Sequence, residues 1–75
     1  MKITGANGYV ILSVDGRAIK IAGERIIGGF VAEITSMRNF EPPFEHETLT
    51  EEIKSHYIAE VTKKTKHSNF VIHFV

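Results

Sequence analysis

The stretch Asn39–Glu52, NFEPPFEHETLTEE, gathers the side chains best able to move protons or hold charge. Glu41, Glu45, His46, Glu47, Glu51 and Glu52 stand close together, without one lysine or arginine among them. Two chemistries could use such a set. Carboxylates beside an imidazole can act as general acid and base, provided that a pocket pushes their pKa values apart. Glutamates on a polar, proline-containing connection lack that pocket, and His46 is the only reasonable base. The other chemistry is electrostatic: fixed negative charge steers a cationic partner into contact. Composition favours this second use. The chain carries no net charge with histidine neutral, yet all nine Lys and Arg residues lie outside the stretch, against only Asp15, Glu24, Glu33 and Glu60.

Other reactive constellations are missing. Without cysteine there is no thiolate nucleophile, disulfide framework or thiolate zinc site, which fits a reducing compartment. Asp15 is taken up by a turn, and no serine sits in a glycine-flanked strand–turn–helix elbow. His46, His56, His67 and His73 show neither the i, i+4 nor the short-loop spacing of zinc ligands, so no metal is expected. The glycines form neither a dinucleotide fingerprint nor a phosphate loop, and no cofactor is implied. Lys63, Lys64 and Lys66 match the negative end of a helix better than they make a nucleic-acid patch. Zero net charge also argues against general nucleic-acid binding.

The elements that must position the acidic stretch are legible on both sides of it. Tyr9–Val14 and Arg17–Ala22 read as a hairpin around Asp15-Gly16, a pair suited to a type I′ turn. That register sets Val14 against Arg17, Leu12 against Ile19 and Val10 against Ile21, all on one face. A short turn or strand at 24–27 and a third main strand over 29–36 follow. Pro42 and Pro43 then exclude helix interior and central strand, leaving a loop of about a dozen residues, long by ordinary standards. A helix starts at Thr48 or Thr50 and runs to about residue 66, with Ile53, Tyr57, Val61 and Thr65 on one stripe. Residues 69–75 form a last strand with Phe70, Ile72 and Phe74 on one face. The expected fold is α+β: a mainly antiparallel sheet of four to five strands with one amphipathic helix on one face, in the order strands, helix, strand.

At 75 residues the chain is expected to be a single domain over 1–75. A chain this short buries only about 60% of its unfolded surface, which leaves little room for an enclosed active site. Its N-terminus lacks the apolar stretch of a signal peptide, and no apolar run approaches the roughly 20 residues of a membrane span. The acidic loop then has two readings. It is a rigid polar connection, with Phe40 and Phe44 plugging its ends into the core, or it is a recognition surface whose rigidity limits the entropy lost on binding.

The succession Gly8-Tyr9-Val10-Ile11, Asp15-Gly16-Arg17, Ile21-Ala22-Gly23-Glu24, Gly29-Phe30-Val31-Ala32 and Asn39-Phe40-Glu41-Pro42-Pro43 resembles a known family, as do the Thr50-Glu51-Glu52-Ile53 helix start and the terminal Phe70-Val71-Ile72-His73-Phe74 strand. It is similar to the small immunity proteins of bacterial polymorphic-toxin and contact-dependent growth-inhibition systems, in particular the family catalogued as immunity protein seventy-four. The resemblance implies a non-catalytic protein that binds a cognate toxin domain, often a nuclease, and neutralises it inside the producing cell. It implies no cofactor. Joined to the acidic loop, it leads to an expected cytoplasmic inhibitor of a basic toxin domain, with Glu41, Phe44, Glu45, His46, Glu47 and Glu51 as partner-binding residues. No small-molecule substrate, no membrane and no nucleic-acid partner are expected. The alternative is a self-associating domain forming a homodimer through its terminal strand or hairpin edge, with a Lys63–Lys66 nucleic-acid module as a weaker third.

Overall fold

The computed structural model describes residues 1–75. Five strands form one sheet in chain order: β1 (Lys2–Gly5), β2 (Tyr9–Val14), β3 (Arg17–Ile26), β4 (Gly29–Ala32) and β5 (Val71–Phe74). The first three pairings are antiparallel and the last is parallel. With the single helix α1 (Glu51–Thr65), this is the expected α+β fold in the order strands, helix, strand. The β2–β3 hairpin has the register that its apolar pattern demands, pairing Val10 with Ile21, Leu12 with Ile19 and Val14 with Arg17. Asp15 and Gly16 both have positive φ, 51° and 81°, as a type I′ turn requires. Val10, Leu12, Ile19 and Ile21 are fully buried.

Two strand expectations need correction, and one further strand was not foreseen. The separate element at 24–27 is the second half of β3, which runs unbroken through Gly23 to Ile26. Gly23 permits this because a Cβ there would lie 2.0 Å from the Val31 carbonyl oxygen on β4. The third strand stops at Ala32 instead of reaching Ser36, and Ile34–Ser36 forms a 3₁₀ turn. Its cause is the Ser36 hydroxyl, which donates to the Glu33 carbonyl at 2.7 Å and accepts from the Ala22 amide at 2.9 Å. Such a side chain offers the backbone an alternative to the ladder. Finally, β1 pairs with β2 along the sheet edge, a strand the N-terminal residues do not announce by alternation.

Because β4 leaves early, the first half of β3 needs another neighbour. The segment after the 3₁₀ turn supplies it: Phe40 bridges Ile19, and the Glu41 amide donates to the Ala18 carbonyl at 2.8 Å. Met37 and Phe40 are thereby buried against the hairpin. The chain next enters α1, where Thr50 is the N-cap and its hydroxyl accepts from the Ile53 amide at 3.2 Å. Glu51 and Glu52 in the first turn and Lys63 and Lys64 in the last match the helix dipole. Tyr57, Val61 and Thr65 are buried at four-residue spacing, and this packing holds a helix of 15 residues that would be marginal alone. The crossover through α1 is what allows β5 to run parallel to β4. Close pairing depends on Gly29, where a Cβ would lie 2.0 Å from the Val71 carbonyl oxygen. Thr65 ties the helix end to the sheet, its hydroxyl accepting from the Ile72 amide at 3.3 Å.

Candidate partner-binding surface

The acidic connection is organised from below by one cation. Register places Arg17 on the same face as Ile19 and Ile21, at the end nearest the turn. The half-exposed guanidinium finds two partners in the connection. Its Nε and Nη2 donate to Glu47 Oε1 and Oε2 at 2.8 and 2.9 Å, while its guanidinium carbon lies 4.3 Å from the centre of the Phe44 ring. A bidentate fork and a cation–π contact both fix direction as well as distance. The hydrogen bond to Arg17 holds the Glu47 carboxyl below the usual glutamate range, and the same bond raises Arg17. Behind the pair, the Tyr57 hydroxyl donates to the Arg17 carbonyl at 2.9 Å, fastening the helix to the hairpin. Burial pushes the Tyr57 phenol up, with Arg17 opposing. The Phe40 ring tilts at 59° to that of Tyr57, 6.3 Å away. Two successive backbone turns, Phe44 N to Glu41 O at 3.1 Å and Glu47 N to Phe44 O at 3.0 Å, complete the connection, and the Pro42–Pro43 bond is cis.

The six residues singled out in the sequence fall into two groups. Phe44 is half-buried against the core and Glu47 is committed to Arg17. Glu41 is half-buried with its amide in use, whereas Glu45, His46 and Glu51 are exposed. The His46 side chain is 93% exposed and stands 3.9 Å from Glu45, too far for a hydrogen bond. Glu51 reaches Lys54 at 3.3 Å. No Lys or Arg nitrogen comes within 4.0 Å of Glu41, Glu45, Glu52 or Asp15. Beside the connection, between the β2–β3 turn and the first turns of α1, lies an open groove of about 360 Å³ floored by Val14, Phe40, Ile53 and Tyr57. Asp15, Glu52 and His56 also line it, with Arg17.

A family model described as Immunity protein 74 matches residues 2–75. The chain belongs to this family. No curated protein and no solved structure matches it. Membership of the Immunity protein 74 family supports an immunity-protein role, in which the chain binds a cognate toxin protein. Its helix is not long and apolar enough to cross a membrane.

For an Immunity protein 74 chain the geometry separates scaffold from surface within one short connection. Arg17, Phe44 and Glu47 face one another and set the path of the backbone. Glu45 and His46 are carried outward on that path. Arg17 is the site residue that sequence reasoning passed over. Its signal was present in the hairpin register: a cation in line with core residues, at the exposed end of that face, is placed to meet an anion, and the acidic stretch holds five of them.

Proposed function

We propose that this immunity protein neutralises a basic toxin domain, of the nuclease kind, by docking its acidic connection onto the toxin's positive surface. The observation that carries this is the set Glu41, Glu45 and Glu52, three carboxylates on or beside a pinned connection that no lysine or arginine of the chain approaches. Uncompensated charge steers association, and a backbone already held by Arg17 and Phe40 loses little entropy on docking. Glu45 and His46 make the outer contacts, Glu51 extends the surface onto the helix, and Glu47 and Phe44 hold the shape behind them. The action is stoichiometric inhibition without catalysis, in the cytoplasm of the producing cell.

Stopped-flow association with the co-purifying toxin domain tests this reading. Glu41→Lys with Glu45→Lys should slow association more than it speeds dissociation. Raising salt should slow the native protein as well, because screening shortens to about 8 Å at 0.15 M. Glu47 is left intact in this design, since reversing it would break the Arg17 pair and confound folding with binding. An association rate indifferent to both changes would move the interface to the open sheet face carrying Tyr9, Ile11 and Lys20.

A further inference from the structure

The groove beside the acidic connection shares only Glu52 with the residues assigned to the partner surface so far, and its chemistry is distinct. Its floor is apolar and partly aromatic, made by Val14, Phe40, Ile53 and Tyr57, and its rim carries Asp15 and Glu52. Both rim carboxylates are exposed, and neither has a lysine or arginine within 4.0 Å. The one cation lining the groove, Arg17, is already neutralised by the bidentate contact with Glu47 and turned onto Phe44. So the groove presents two carboxylates without an ion-pair partner above an apolar floor. At about 360 Å³ it stands at the small end of ligand sites, suited to one long side chain rather than a cofactor.

We infer that this groove receives an arginine side chain of the protein partner. The aliphatic stem lies on the half-exposed Val14 and Ile53, and the guanidinium donors reach Asp15 and Glu52. Arginine fits this combination better than lysine, because its planar, weakly hydrated fork carries enough donors to hydrogen-bond two carboxylates at once. Such a side chain, seated in a pocket at the side of a charged surface, has the character of a binding hot spot. The inference rests on the proposed role as inhibitor of a basic protein, and it assigns to the groove what the connection does not supply. Steering acts on the encounter, whereas a seated anchor acts on residence time.

The test uses the intact protein, labelled with ¹⁵N, and a blocked arginine amide as probe, with the blocked citrulline amide as an uncharged isostere. Amide shifts should move at Val14, Asp15, Ile53 and Tyr57 with the arginine probe, saturate in the millimolar range, and be absent with citrulline. The double variant Asp15→Asn, Glu52→Gln should abolish these shifts while the protein stays folded, since Asn tolerates the positive φ that Asp15 adopts and losing the Glu52 charge from the first turn of α1 lowers the melting temperature by only a few degrees. In the toxin complex Asp15→Asn alone, which leaves Glu41, Glu45 and Glu52 in place, should raise the dissociation rate about tenfold, about 1.4 kcal/mol, with the salt dependence of association retained. Shifts that are equal for citrulline, unaffected by the double variant, or absent altogether would overturn the inference. That failure is separable from failure of the steering role, which shows itself only as an association rate insensitive to Glu41→Lys with Glu45→Lys.

Discussion

The β2–β3 hairpin and the acidic connection lie against each other, yet they are held in shape by different means. Within the hairpin, six residue pairs share a continuous ladder, and four of the six inward side chains, Val10, Leu12, Ile19 and Ile21, are fully buried aliphatics at alternate positions. Backbone hydrogen bonds and apolar burial agree there at every step. The connection has one ladder bridge at Phe40, two turn bonds and a cis peptide. Its shape comes from side chains instead: Phe40 in the core, and Phe44 and Glu47 on Arg17. A ladder needs its residues inward and uses up its polar groups. A connection fixed at three side chains leaves the residues between them free to face a partner, which is how Glu45 and His46 come to stand outward on a defined backbone.

If that contrast is right, damage to the ladder-and-core region should unfold the protein, and damage to the connection should not. The largest effects are expected at Phe30 and Gly29. Phe30 is fully buried, and Phe30→Ala should cost about 3–5 kcal/mol by leaving a cavity. Stability for a chain of this size is on the order of 4–11 kcal/mol, so urea titration should find this variant largely unfolded or close to it. Gly29→Ala places a methyl group 2.0 Å from the Val71 carbonyl oxygen and should force β5 away from β4. Its amide exchange should rise across residues 71–74 before the hairpin is affected. Retention of native β5 protection in this variant would mean that the parallel pair is not set by that contact.

The next effect in size lies where the two regions meet. Tyr57→Phe removes the donor to the Arg17 carbonyl and leaves that oxygen without its partner from the helix. A cost of about 0.5–1.5 kcal/mol is expected, corresponding to a fall of roughly 4–8 °C per kcal/mol in the melting temperature of a small domain. The loss should appear equally in the Glu47→Gln background if the hydroxyl positions the helix. If the hydroxyl acts only by orienting Arg17 toward Glu47, the two substitutions should be non-additive in a double-mutant cycle.

How much of this was legible in the sequence follows from the same contrast. The hairpin, the helix stripe and a helix start at Thr48 or Thr50 could be read because each depends on neighbours within a few residues. The 3₁₀ turn could not, because it depends on a Ser36 hydroxyl meeting an amide 14 residues away at Ala22. β1 escaped notice because its one strongly apolar residue, Ile3, gives no alternation to read. At the candidate site, the excess of acid in residues 39–52 was plain, as was the plugging role of Phe40. The division of those acids into pinned and free was not. It is made by Arg17, 30 residues from Glu47, and only the hairpin register pointed to a cation placed to meet an anion. The groove was hidden for a similar reason, since its walls come from the turn, the connection and the helix.

The smallest expected effect is also the most selective test of what pins the connection. Arg17 holds the Glu47 carboxyl below its ordinary value, about 4.3 in an unfolded chain. Above that ordinary value both states are ionised, and the pair contributes all of its stability. As pH falls through it, the unfolded chain takes up the proton first, and the contribution is lost progressively until the lowered folded value is passed. Glu47→Gln should therefore lower the melting temperature at neutral pH, and the gap to the native protein should close as the solution is acidified below about pH 4. Salt should narrow the gap too, because the pair is exposed. Glu45→Gln supplies the baseline: with no lysine or arginine beside it, its melting curve should track the native one at neutral pH. Arg17→Lys should resemble Glu47→Gln despite keeping the charge, because an ammonium cannot make the bidentate contact or stack on Phe44 in the same way. Should Glu47→Gln instead run parallel to the native protein across the whole range, the ion pair is not what separates the pinned residues from the free ones. Phe40 and its bridge to Ile19 would then hold the connection alone, and Glu47 would rejoin Glu45 as a charge available to the toxin.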